Sequence, residues 1–128
     1  MRAIDTNVLV RLIARDDPEQ TQAAEAFVAR GAWVSHLVLA ETVWVLESAY
    51  SFQSRAIADA VDMLLHHAHI VVQDSDVAEA ALARFRTRGP DFSDCLILEI
   101  ARRNGHLPFG TFDRALGRMD GAERLEAS

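Results

Sequence analysis

Four acidic residues in this sequence have no convincing place on a solvated surface: Asp5, Glu41, Asp94 and Asp113. Asp5 follows the short apolar pair Ala3-Ile4 and precedes Val8, Leu9, Leu12 and Ile13 at helical spacing, which predicts a strand, an acid at its exit, then a helix. Asp113 repeats the arrangement after the apolar stretch Leu107 to Phe112. Glu41 has Leu37, Val38, Trp44 and Val45 at i−4, i−3, i+3 and i+4, so its side chain is expected among apolar neighbours. A lone carboxylate there costs several kcal/mol unless it is paired, protonated or bound to metal. Asp94 shares a stripe with Ile97, Leu98 and Ala101 in the first turn of a predicted helix, where the dipole favours an anion. Each has a plainer structural reading as well: a helix cap for Asp5, a buried arginine partner for Glu41, helix-end charging for Asp94.

Together these acids suggest one kind of chemistry. Two carboxylates about 4 Å apart repel by roughly 4 kcal/mol at an effective dielectric near 20, so four in one cleft require a cation to stay ionised. All-oxygen ligation selects a hard metal, Mg²⁺ or Mn²⁺. Such an ion acidifies bound water and stabilises in-line attack on phosphorus, which is hydrolytic nuclease chemistry. Because water attacks, the expected products carry 5′-phosphate and 3′-hydroxyl ends.

The elements that must position these acids follow from capping and periodicity. Asp17-Pro18-Glu19-Gln20 reads as a helix start with Gln20 completing a capping box, and the helix runs to about Arg30, where Gly31 stops it. Ala32 to Val34 is a short strand; Ser35 caps a helix from about His36 to Tyr50. Ser54 opens another, ending near the His66, His67 and His69 cluster, which lacks Cys or carboxylate ligands nearby and suits the negative end of a helix. Ile70 to Val72 is a third strand, and Asp76 with Glu79 forms a capping box for a helix reaching about Arg86, before Gly89-Pro90. Asp91 caps a helix to Arg103, stopped by Asn104-Gly105; Leu107 to Phe112 is a fourth strand, Arg114 to Met119 a short helix, and Glu123 to Leu125 a possible edge strand. Strands alternating with helices predict an α/β fold whose parallel strands, joined by right-handed crossovers, bring their exits and these acids to one edge.

Composition limits the alternatives. The length suits one domain, residues 1–128, without linker, low-complexity tract or repeat. Apolar runs are too short for a membrane span, and Arg2 followed by Asp5 is not a signal-peptide start, so a cytoplasmic protein is expected. The single cysteine, Cys95, lies in an apolar helical pattern and is read as inert packing. A net charge of −6 argues against non-specific nucleic-acid binding but not against a nuclease, whose acids are offset by metal in use. All 13 basic residues are arginine, and Arg84, Arg86, Arg88, Arg102, Arg103, Arg114 and Arg118 flank the later motifs. Arginine grips phosphate bidentately, although a solvated helix face accounts for most of these.

The order Asp5-Thr6-Asn7, lone Glu41 in an apolar helix, Asp91-Phe92-Ser93-Asp94-Cys95-Leu96 and Thr111-Phe112-Asp113 resembles the PIN-domain ribonucleases, and the compact length resembles the VapC toxins of bacterial toxin–antitoxin pairs. Each motif alone is weak; their order and spacing span nearly the whole chain. The resemblance implies a three-layer α/β/α sandwich around a central four- to five-stranded parallel sheet. It makes Asp5, Glu41, Asp94 and Asp113 the acidic site, the first three holding Mg²⁺ directly or through water and Asp113 completing that site or a second, weaker one, with Thr6, Asn7 and Thr111 as supporting polar groups. It further implies an RNA substrate and a homodimer inhibited by a small VapB-type antitoxin. Ser93 and Cys95 depart from the small residues such as Ala common at those positions, which leaves the acids unaffected. Two other classes stand beside this reading. One is a receiver-like phosphotransfer domain, disfavoured because the chain has no lysine; the other is a PIN-fold interaction module without catalysis.

Overall fold

Backbone at Asp5 is extended, with φ −98° and ψ −178°, and there the chain passes from strand β1 (Arg2–Ala3) into helix α1 (Thr6–Ala14). The computed structural model describes residues 1–87 and 89–127, so the expectation for Arg88 lies outside the described residues. The chain divides into two units, Met1–Ser75 and the segment from Asp76 onward.

In the first unit, α1 is followed by α2 (Pro18–Val28), β2 (Ala32–Val34), α3 (His36–Tyr50), α4 (Ser54–Leu65) and β3 (Ile70–Val72). The three strands form a parallel sheet in the order β1-β2-β3, with Ala3 opposite Trp33 and Trp33 opposite Val71. Parallel pairing puts all three C-terminal ends at one edge, so Asp5 and the start of α3 share it. Helix starts are fixed as the sequence predicts: Asp17 accepts from the Gln20 amide and Ser35 from the Val38 amide. Leu9, Val28, Val34, Leu39, Val43, Leu46, Ile57, Val61 and Leu64 are at most 2% exposed and form the core of this unit.

The second unit holds nearly all of α5 (Ser75–Phe85), then α6 (Phe92–Arg103), β4 (Phe109–Thr111), a 3₁₀ turn (Leu116–Arg118) and β5 (Ala122–Arg124). Strands β4 and β5 pair in parallel, Thr111 opposite Arg124. Phe92, Cys95, Leu96 and Leu98 bury the inner face of α6, and the Phe92 ring meets Phe85 edge-on. Glu99 is buried and pairs with Arg102 at 3.0 Å; Arg102 also donates to the Asp120 carbonyl. Gly121, at φ 90°, lets the chain pass under that guanidinium, since a Cβ there would stand 3.1 Å from its nitrogens.

The α/β class is as expected: among the described residues, helices alternate with five strands that pair in parallel, β1-β2-β3 in the first unit and β4-β5 in the second. Two expectations need correction. Gln20 does not close a capping box, because its Oε1 accepts instead from Arg11 Nε at 2.7 Å. Asp76 lies inside the first turn of α5, with its carboxylate held by Arg103 rather than acting as the cap. No helix among the described residues is long and apolar enough to cross a membrane.

Candidate active site

Asp5 is both a cap and an available carboxylate. Its Oδ1 accepts from the Val8 amide at 3.2 Å, fixing the α1 N-terminus, while no described residue donates to Oδ2. Next to it, the Thr6 hydroxyl donates to Glu41 Oε1 at 2.9 Å. Helix α3 leaves the edge where β1 also ends, so its second turn carries Glu41 to within a side chain's reach of Asp5-Thr6. The first unit therefore ties Glu41 to Thr6, the residue that follows Asp5 in the chain.

Glu41 itself is exposed, not embedded. Leu37 and Trp44, which suggested burial, are 73% and 66% exposed, and the core face of α3 is Leu39, Thr42, Val43 and Leu46. Apolar residues surround α3, so sequence spacing could not say which stripe faces inward. Glu41 therefore bears no desolvation cost that a metal would have to relieve, and what holds it at the β1 edge is its bond from Thr6.

The second unit gathers three carboxylates. Asp91 caps α6 by accepting from the Asp94 amide at 2.8 Å, and Asp113 caps the 3₁₀ turn by accepting from the Leu116 amide at 2.7 Å. Thr111 Oγ1 accepts from the Asp113 amide at 3.0 Å, which locks the β4 exit. Burial raises the Asp94 pKa above its ordinary value, with the charges of Asp91 and Asp113 and a hydrogen bond to Asp91 adding to it. A cation would relieve that mutual repulsion. Asp91, read from sequence only as a cap, thus belongs to this cluster; its spacing of three from Asp94 was the available signal.

All five carboxylates are hard oxygen donors, and those of Asp5, Glu41 and Asp113 each have one oxygen engaged in positioning and the other without a described donor. That chemistry fits Mg²⁺ or Mn²⁺. Among the described residues, no group of three or more His, Cys, Asp or Glu side chains is arranged as a metal site. Asn7 lines a cleft beside Asp5. The histidines close the end of α4, His66 Nδ1 lying 2.9 Å from the Asp62 carbonyl and His67 Nδ1 accepting from the His69 amide. Cys95 is fully buried, its thiol pushed up to about 11 by burial and then by Asp91, Asp94 and Glu99, so it is protonated at neutral pH. Among the later arginines, Arg102 and Arg103 are tied to Glu99 and Asp76, whereas Arg114, next to Asp113 in the chain, and Arg118 are exposed.

The family model described as PIN domain matches residues 3–122 of this chain. The crystal structure of VapC20 of Mycobacterium tuberculosis, a sarcin–ricin-loop-cleaving toxin, aligns over 91% of this chain and 93% of its own at 22% identity, with a TM-score of 0.44. Comparison with curated proteins gave no significant match.

Proposed function

Since the chain belongs to the PIN domain family, we propose that it is a divalent-metal-dependent endoribonuclease and acts as the VapC-type toxin of a toxin–antitoxin pair. The family match crosses both units, which supports reading residues 1–128 as a single PIN domain. The observation that carries the activity is the immobilisation of acids at element ends: Asp5, Asp91 and Asp113 are helix or turn caps, and Glu41 is steered by Thr6. Side chains fixed in this way retain ligand oxygens in defined directions.

Asp5, Glu41 and Asp94 would hold Mg²⁺ or Mn²⁺, with Asp113 completing the set. When bound, the metal supplies an acidified water and charge neutralisation at the phosphodiester. Thr6 holds Glu41 through its hydroxyl, and Thr111 with the Leu116 amide keeps Asp113 rigid. The exposed Arg114 and Arg118 would take up phosphate charge. Asn7 is assigned with Thr6 and Thr111 as a supporting polar group. A homodimer and a small VapB-type antitoxin are the proposed partners, supported by the exposed apolar stripe of Leu37 and Trp44 on α3. A cytoplasmic location fits such a role. Membership of the PIN family sets the receiver-like phosphotransfer reading aside.

The test is Asp5→Asn. Asparagine caps a helix as well as aspartate does, so the variant keeps α1 while removing the charge. Loss of RNA cleavage by at least about 100-fold with an unchanged circular-dichroism spectrum is expected, the scale of removing one group that stabilises a transition state. Wild-type cleavage by Asp5→Asn would refute the assignment and favour a PIN-fold module that only binds.

A further inference from the structure

A cavity of about 540 Å³ opens between α1 and α2 and reaches Asp5. Its apolar lining includes Val8, Ala24 and Phe27, and its polar lining Asn7, Arg11 and Gln20. The last two are locked into a fixed display of donors. Arg11 Nε is spent on Gln20 Oε1, and Nη1 on Asp16 at 2.9 Å and on the Tyr50 hydroxyl at 3.0 Å. Held by the bond from Arg11 Nε, Gln20 presents its NH₂, and Arg11 retains Nη2; neither has an acceptor among the described residues. The Arg11 charge is offset by Asp16, and Asp5 adds negative charge at the cavity's end, so an anion is a poor occupant. The site asks for a flat neutral group that presents two adjacent acceptors.

Guanine has that edge in O6 and N7, and it is the base whose paired acceptors arginine most often reads; adenine sets a donor at N6 beside N7, uracil sets N3–H between its two oxygens, and the acceptor pair of cytosine, N3 and O2, lies against the glycosidic bond on a smaller ring. We propose that this cleft is a subsite for a guanine base of single-stranded RNA next to the scissile phosphate, an assignment that rests on the nuclease reading of Asp5. Apolar walls would hold the ring while Arg11 and Gln20 read its edge.

The experiment compares short single-stranded oligoribonucleotides carrying guanine, inosine, adenine or 7-deazaguanine at one position. Inosine keeps O6 and N7; 7-deazaguanine lacks the N7 acceptor. Their affinities for the non-cleaving Asp94→Asn protein are read by fluorescence anisotropy, and wild-type kcat/KM is measured in parallel. Guanine and inosine are expected to bind alike, and adenine and 7-deazaguanine about 10-fold more weakly, the discrimination of one good base-edge contact. Gln20→Leu should equalise guanine and adenine. Equal affinity for all four, or no binding, overturns the subsite. Absence of wild-type cleavage alongside guanine-selective binding would instead overturn the nuclease reading and retain the subsite.

Discussion

At Asp94 the fold holds a carboxylate against its own preference for charge. Its pKa is raised by burial and by Asp91 and Asp113, so its ionised form is less stable in the folded chain than in the unfolded one. The stabilising, protonated state is fully present below the ordinary carboxylate range and is lost as pH rises through the elevated value. Asp94→Asn should therefore raise the melting temperature at pH 7 in EDTA. After solvent screening the gain is on the order of 1 kcal/mol or less, a few °C. A lower melting temperature would show that the Asp94 charge is structural. Asp5 and Asp113 were legible because strand-exit acids stand out from apolar runs. The surroundings of Glu41 were not, because Leu37 and Trp44 are apolar yet exposed, and residue type alone does not report burial.

Among the elements, helix starts were readable to the residue where a cap is local: Asp17, Ser35 and Asp91 each accept an amide three positions on. Gln20 was misread because its partner lies on another helix, and no local rule announces the Arg11 contact. That contact belongs to a clasp joining α1, the α1–α2 turn and α3 through Arg11, Asp16 and Tyr50. A hydrogen bond from Tyr50, then one from its own backbone amide and then the Arg11 charge, hold the Asp16 pKa below its ordinary value of 3.8. A depressed carboxylate stabilises the fold above its unfolded pKa and loses that contribution as pH falls through the folded value. In a carboxyl NMR titration Asp16 should titrate below 3.8, and Tyr50→Phe should move it upward toward 3.8. An unchanged titration would remove Tyr50 from the clasp. The strand content followed the same logic: Ile70–Val72 was evident from its own residues, whereas the division into two sheets depends on pairing between distant segments.

For the whole chain, Asp5 and Glu41 belong to one unit and Asp94 and Asp113 to the other, and the PIN match spans both. Their order along the sequence made the family recognisable before any geometry was known, because motif order survives where each motif is short. Substrate and partner are less legible, since they depend on surfaces assembled from residues far apart, such as the α1–α2 cleft and the α3 stripe. Metal-dependent hydrolysis of RNA is tested by mapping the cleaved ends of an RNA incubated with the purified protein in Mg²⁺ or in EDTA. Cleavage in Mg²⁺ that leaves 5′-phosphate and 3′-hydroxyl ends and stops in EDTA is expected; equal cleavage in EDTA, or 2′,3′-cyclic phosphate ends, would rule this chemistry out.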